Sequence, residues 1–246
     1  MELPDKSFET LTVALEEKQD LMYRQIRDEL RLELTRDGKL IETMDIENIL
    51  ERLLRLVQVC SNPLLVDPHY SAVPAKFAAL ESLVSGILAK GEKVIVWSQF
   101  VDNVKILAQS HREQGGVAIH GGVPVEDRKR IVDRFQDDVN RRIVFAVPAA
   151  AREGLTLTAA NHAIYLDRNF NLVDYLQSQD RIHRIGQERP CVVTKLMAEG
   201  TIDDFVEEVL RRKFEIAETV QSGVMPNRRS EAVQRSEIER FLFRGE

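Results

Sequence analysis

Two arginines separated by Ile182 and His183 stand inside Gln177-Ser178-Gln179-Asp180-Arg181-Ile182-His183-Arg184-Ile185-Gly186-Gln187. On a helix, Gln177, Asp180, Arg181 and Arg184 fall at i, i+3, i+4 and i+7 and share one face, with Leu172, Tyr175 and Ile182 on the other. Two guanidiniums on one face repel unless an anion or a carboxylate lies opposite. A polyphosphate suits them, because guanidinium stays charged and donates paired hydrogen bonds to phosphate oxygens. A solvated helix face with Asp180 paired to Arg184 is the other reading. Upstream of it, Ser98 and Gln99 follow an apolar run, His120-Gly121-Gly122 precedes a charged helical pattern, and Gly154 stands before Thr156 and Thr158. A hydroxyl and an amide can position phosphates without reading bases. Paired glycines serve equally a sharp turn or a close approach to phosphate.

These groups need a scaffold, and the periodicity supplies one. From Asp20 to Val59 apolar residues recur at helical spacing, which predicts two helices about the Asp37-Gly38-Lys39 turn. Three prolines between Ser61 and Pro74 predict an extended connector. Short β-branched runs then alternate with helical patterns. Helices are expected over 75–89, 101–112, 125–136, 172–185 and 202–220, and strands over 93–97, 117–119, 142–147, 162–166 and 191–196. That alternation predicts an α/β fold with a mainly parallel sheet covered by helices. VIVW and IVFAV read as strands buried on both faces, and functional groups then belong on loops beyond the strands' C-terminal ends. Trp97, at one such end, reads as core. The expected divisions are a helical segment over 1–74, the sheet domain over 75–200, and a C-terminal helix and tail over 201–246.

The 246 residues are 43% hydrophobic and 30% charged, the profile of a folded chain rather than a disordered one. The formal net charge of −6 argues against a globally basic nucleic-acid binder, so any DNA contact is local or shared. The two cysteines, Cys60 and Cys191, form no metal-binding pattern and fit a reducing compartment. His69, His111 and His162 have no ligand-like neighbours in sequence. No apolar run reaches the length needed to span a bilayer, and the first residues lack a signal peptide's order. The expectation is a cytoplasmic, nucleoid-associated protein if prokaryotic and a nuclear one if eukaryotic, with the former favoured.

QSQDRIHRIGQ resembles the Q-x-x-D-R-x-H-R-x-G-Q motif of Swi/Snf-type ATPases in helicase superfamily two. KVIVWSQF, the stretch from His120 to Arg128 with Phe135 and Gln136 beyond it, and the stretch from Ala149 to Ala160 resemble further family motifs in the same order. Leu3-Pro4 with Gln19 and Tyr23, and Leu56 to Pro63, resemble the family's interlobe segment. The resemblance spans Leu3 to Val220. It implies a RecA-like C-terminal lobe with a helical N-terminal insertion and a C-terminal extension. Arg181 and Arg184 are then arginine fingers for ATP held with Mg2+ on an N-terminal lobe. Glu153, Gly154, Gln177 and Asp180 line the nucleotide, and Ser98, Gln99, His120, Gly121, Thr156 and Thr158 meet double-stranded DNA. His183 is expected to sense the interlobe cleft or to cap a local hydrogen bond rather than to act as a base.

Departures from the family pattern are local. Arg152 and Glu153 replace consecutive glycines, and G-L-T-L over 154–157 replaces G-L-N-L, a form closer to the annealing-helicase branch. Asp167 to Leu172 replaces D-x-x-W-N-P, which keeps a ring at Phe170 and removes a proline-based helix start. No G-x-x-x-x-G-K-[ST] phosphate loop and no D-E-x-H box occurs, so these residues alone are expected not to hydrolyse ATP. Three functions compete: a double-stranded DNA translocase or remodelling lobe, a non-catalytic docking module that recruits a protein partner through the C-terminal tail, and an RNA helicase lobe. The finger pair favours the first over the second, and the H-R-I-G-Q ending weighs against the third.

Overall fold

In the computed structural model, residues 3–37, 39–221 and 235–243 are described, and for 151–153, 220 and 221 only the backbone is. The chain divides into two compact units. One comprises residues 1–13 with 75–197, the other residues 14–74 with 198–246.

The first unit is built on a six-stranded sheet of order β1-β8-β7-β4-β6-β5, with β1 at Lys6–Val13, β4 at Val94–Trp97, β5 at Gly116–Ile119, β6 at Ile143–Ala146, β7 at His162–Tyr165 and β8 at Cys191–Ala198. The β4–β6, β4–β7, β5–β6 and β7–β8 pairings are all parallel. Every residue of VIVW and IVFA is buried, as strands covered on both faces must be. Helices α3 (Ala75–Ala89), α4 (Val101–Ser110), α5 (Val125–Asp137) and α6 (Leu172–Gln179) belong to the same unit. One apolar cluster gathers Ile95, Trp97, Phe135, Tyr165, Ile182 and Val193. A second gathers Leu80, Val84, Val96, Val104, Phe145 and Leu166. Trp97 is fully buried with its ring centroid 6.4 Å from that of Tyr165, the core role expected of it.

The sheet places the loops. His120, Ser98, Val147 and Leu166 each follow the last residue of a parallel strand, so the candidate loops open from one edge of the sheet. At the opposite end, Glu92 accepts from Asn161 (2.9 Å) and lies 2.9 Å from His162 Nε2, fastening the starts of β4 and β7 together.

Three expectations change. Lys6–Val13 is a strand next to β8, with the Cys191 amide donating to the Asp5 carbonyl at 2.8 Å, whereas the sequence reading gave this stretch no element. Its alternation is obscured because six of its eight residues are exposed, Phe8 among them. Asp37-Gly38-Lys39 joins more than two helices: β2 (Thr35–Arg36) and β3 (Lys39–Leu40) pair antiparallel before α2, and Gly38 lies outside the described residues. The helix expected over 172–185 stops at Gln179.

In the second unit, α1 (Glu17–Leu34) and α2 (Ile46–Ser61) lie together with α7 (Ile202–Gln221) and α8 (Arg235–Leu242). The buried Gln19 amide donates to the carbonyls of Val59 (2.7 Å) and Cys60 (3.2 Å), and the Tyr23 hydroxyl accepts from the Ile202 amide at 2.8 Å. These bonds give Gln19 and Tyr23 a structural role. Most of the tail, 222–234 and 244–246, lies outside the described residues, as does the tail surface considered for a protein partner. Its described part, α8, is fastened by Arg235 donating to the Ile41 and Glu42 carbonyls and by Glu239 accepting from the Leu40 amide.

Candidate nucleotide and nucleic-acid site

Helix α6 begins without the missing proline because Asn171 does the capping. Its side-chain carbonyl accepts from the Asp174 amide at 3.2 Å and its amide donates to the Asp174 carboxylate at 3.0 Å. The helix ends at Gln179 and does not resume through 185, because the carbonyls it would need there are committed elsewhere. In a continuing helix the carbonyls of Arg181 and Ile182 would accept from residues 185 and 186. Instead Arg181 accepts from the Leu157 amide (3.0 Å) and Ile182 accepts from Gln187 Nε2 (2.9 Å). Ile182 is thereby seated in the core, fully buried, and Gly186 turns the chain back at φ +100°, a conformation that favours glycine. The shared helical face of Gln177, Asp180, Arg181 and Arg184 is therefore replaced by a helix end followed by a folded loop.

That loop still brings the two arginines together. Burial lowers the pKa of Arg181, the neighbouring Arg184 charge lowers it further, and Asp180 opposes both. Arg181 is half-buried, its Nε shielded from water and without a hydrogen-bond partner, whereas Arg184 is exposed. No ion pair joins Asp180 to Arg184 among the described residues, so the self-paired helix face does not form. Gln177 and Asp180 are both exposed. His183 Nε2 lies 2.8 Å from the Pro4 carbonyl, which makes that nitrogen the protonated donor and fits the local cap among its two expected roles.

Gln187, quoted in the motif but given no role from sequence, organises the loop. It is 7% exposed, and its Nε2 lies within hydrogen-bonding distance of the carbonyls of Thr158 (3.1 Å), Ala160 (2.8 Å) and Ile182 (2.9 Å). Its Oε1 accepts from the Glu188 and Arg189 amides, both at 3.0 Å. Only the buried environment distinguishes this glutamine from a solvated one, and local spacing does not carry that information.

Thr158 accepts from Gln136 Nε2 on α5 at 3.1 Å, and Thr156 is half-buried nearby in sequence. Gly154 is exposed with φ +78°, following the short turn over Pro148–Glu153. The Glu153 side chain lies outside what is described.

At the end of β4 the two neighbours part company. Ser98 is 1% exposed, and its hydroxyl donates to Asp167 at 2.6 Å and accepts from the Phe100 amide at 3.2 Å. The expected direct phosphate contact does not fit Ser98 as placed, since its hydroxyl faces a buried carboxylate. Gln99 is half-buried; its backbone donates to Asp167 at 2.6 Å and its side-chain carbonyl accepts from Asn169 at 3.0 Å, which leaves the side-chain NH2 to donate. Asp167, which the sequence shows only as the start of a departing motif, and Asn169 hold this corner; the signal for Asp167 is an aspartate just past a buried strand that pairs with Ser98's strand.

The His120 ring Nδ1 accepts from the Gly122 amide at 3.1 Å, and Arg128 donates to the Gly121 (3.1 Å) and Val123 (2.7 Å) carbonyls. Arg128 thus shapes the turn that exposes Gly121. Burial lowers the His120 pKa, with Lys105 and Arg128 lowering it further, which favours the neutral ring that accepts.

Residues 75–186 match the helicase conserved C-terminal domain family. The chain is 30% identical over 167 residues, 67% of its length, to a Caenorhabditis elegans SWI/SNF-related matrix-associated actin-dependent regulator of chromatin (subfamily A containing DEAD/H box 1 homolog), and spans 17% of that relative. It is also similar to the Sulfolobus solfataricus SWI2/SNF2 ATPase core in complex with dsDNA: 26% identical, TM-score 0.74, covering 98% of this chain and 50% of that one. The C-terminal domain of the Sulfolobus solfataricus SWI2/SNF2 ATPase, 21% identical with TM-score 0.71 and coverage of 98% and 99%, shares the fold.

Proposed function

From the premise that this chain carries the helicase conserved C-terminal domain of SWI/SNF-type ATPases, we propose that it is the arginine-finger lobe of a double-stranded DNA translocating or remodelling ATPase. Arg181 and Arg184 approach the γ-phosphate of ATP held with Mg2+ on a separate N-terminal lobe. The observation that carries this reading is the loop after α6: two neighbouring guanidiniums, one exposed and one with an unpartnered buried Nε, with no carboxylate ion-paired to either among the described residues. Their repulsion is relieved by an anion, and a phosphate tail supplies three or more acceptor oxygens. ATP supplies the phosphoryl chemistry; this chain's part is to stabilise charge on the transferring group. Gly154, Gln177, Asp180 and Glu153 are the neighbours assigned to the nucleotide.

The DNA backbone is met by Gln99, His120, Gly121, Thr156 and Thr158, with Ser98 holding Gln99's loop to Asp167. In Gln99 and the exposed Gly121 these are donors suited to phosphate rather than to base edges, consistent with movement along any sequence. The test is ATP turnover by the chain joined to an N-terminal lobe carrying the phosphate loop. Arg184→Ala is expected to lower turnover by about 10³-fold or more with nucleotide affinity little changed. Normal turnover in that variant rejects the finger assignment.

A further inference from the structure

The segment Leu157–Ala160 is tied on two sides. The Leu157 amide donates to the Arg181 carbonyl at 3.0 Å, and the carbonyls of Thr158 and Ala160 lie at Gln187 Nε2. The Ala159 carbonyl accepts from Arg189 at 2.7 Å. On the other side, Gln136 of α5 accepts from the Ala159 amide at 2.7 Å and donates to the Thr158 hydroxyl at 3.1 Å. The same Gln187 nitrogen contacts Ile182, between the two arginines. Thus one buried amide touches both the threonine loop and the arginine loop, and a second glutamine anchors the threonine loop to α5. Helix α5 starts at Val125, next to the turn that Arg128 shapes.

We propose that Gln187 is a positioning residue that transmits movement of the Thr156–Thr158 loop to Arg181 and Arg184, with Gln136 as the opposing anchor. This rests on the reading that the threonine loop meets DNA and the arginines meet ATP. A buried amide with its partners on two segments resists their separation, because a buried carbonyl that loses its amide donor has no water to replace it. A displacement of Thr158 by a bound phosphate therefore pulls on Ile182 and changes the setting of the guanidiniums on either side.

The test needs no hydrolysis. In the chain itself, the Nε–H resonances of Arg181 and Arg184 are followed by NMR, assigned through Arg→Lys variants, while the threonine loop is disturbed in two ways: by Gln136→Ala, and by adding a short DNA duplex. Gln136→Ala is expected to shift the Arg181 resonance in the otherwise native chain and to leave it in place when Gln187→Met is also present, with the thermal transition checking that each variant is folded. An Arg181 resonance that ignores Gln136→Ala overturns the relay without reference to the Gln187 variant, and so does a response that survives Gln187→Met in a folded chain. A duplex that leaves the Thr156 and Thr158 resonances unmoved counts against the DNA reading, while the Gln136→Ala arm still decides the relay.

Discussion

Arg181 and Arg184 differ in setting although one motif contains both. Arg184 is exposed, while Arg181 is partly buried and its backbone carbonyl accepts from the Leu157 amide. Arg181→Lys keeps a charge but loses the planar fork, so it is expected to cost turnover almost as much as Arg181→Ala, about 10³-fold, in the chain joined to an N-terminal lobe. Turnover restored by lysine would show that charge alone suffices. Ser98 and Gln99 make a second contrast. Ser98→Ala leaves the buried Asp167 carboxylate short of a donor and is expected to destabilise the fold by about 1–3 kcal/mol in denaturant melts. Gln99→Ala is expected to leave the melt unchanged and weaken duplex binding; equal effects of the two on binding with no effect of Ser98→Ala on stability would contradict the division. The types and spacing of these residues were legible in the sequence. Which atoms face water was not, because Ser98's partner lies 69 positions away.

At the scale of elements, the sheet was readable because its strands are short, β-branched and buried on both faces. Strand β1 escaped because an edge strand with six exposed residues lacks the alternation that burial of one face produces. Helix α6 was read too long for a related reason: the bonds that stop it, from Leu157 and Gln187, are tertiary and leave no capping signature at residues 180–182. Its start at Leu172 is as read, with Asn171 supplying the cap in place of the proline. Asn171→Ala is therefore expected to cost roughly 1 kcal/mol, measured by thermal or denaturant unfolding. Glu92 offers a pH test at the other end of the sheet. Burial raises its pKa, but the hydrogen bonds from Asn161 and His162, with the His162 and Arg189 charges, outweigh burial and hold it below the ordinary carboxylate value. A depressed folded value contributes stability above the unfolded value and loses it as pH falls through the folded one. Stability is expected to fall with acid below about pH 4.5, and Glu92→Gln is expected to flatten that fall. An unchanged acid slope in the variant would remove Glu92 from the account.

The whole molecule distributes its charge unevenly. The sheet-bearing unit holds 18 basic and 17 acidic residues, and the helical unit 16 basic and 23 acidic, so the net charge of −6 is a property of the second. Every candidate DNA contact belongs to the first, and most are neutral donors. The chain alone is therefore expected to bind duplex weakly, with a log K against log salt slope on the order of −2, where a strongly basic binder gives a much steeper one. No described helix is long and apolar enough to cross a membrane. On the proposed reading the motif order assigns the chain one side of a two-lobed ATP site, and the loop after α6 carries the two arginines that reading needs. The most direct test is ATP turnover by this chain alone and joined to a lobe bearing the phosphate loop, each with and without duplex DNA. The account predicts silence alone, DNA-stimulated turnover when joined, and loss of that turnover in Arg184→Ala; hydrolysis by the chain alone, or joined turnover indifferent to both arginines, would contradict it.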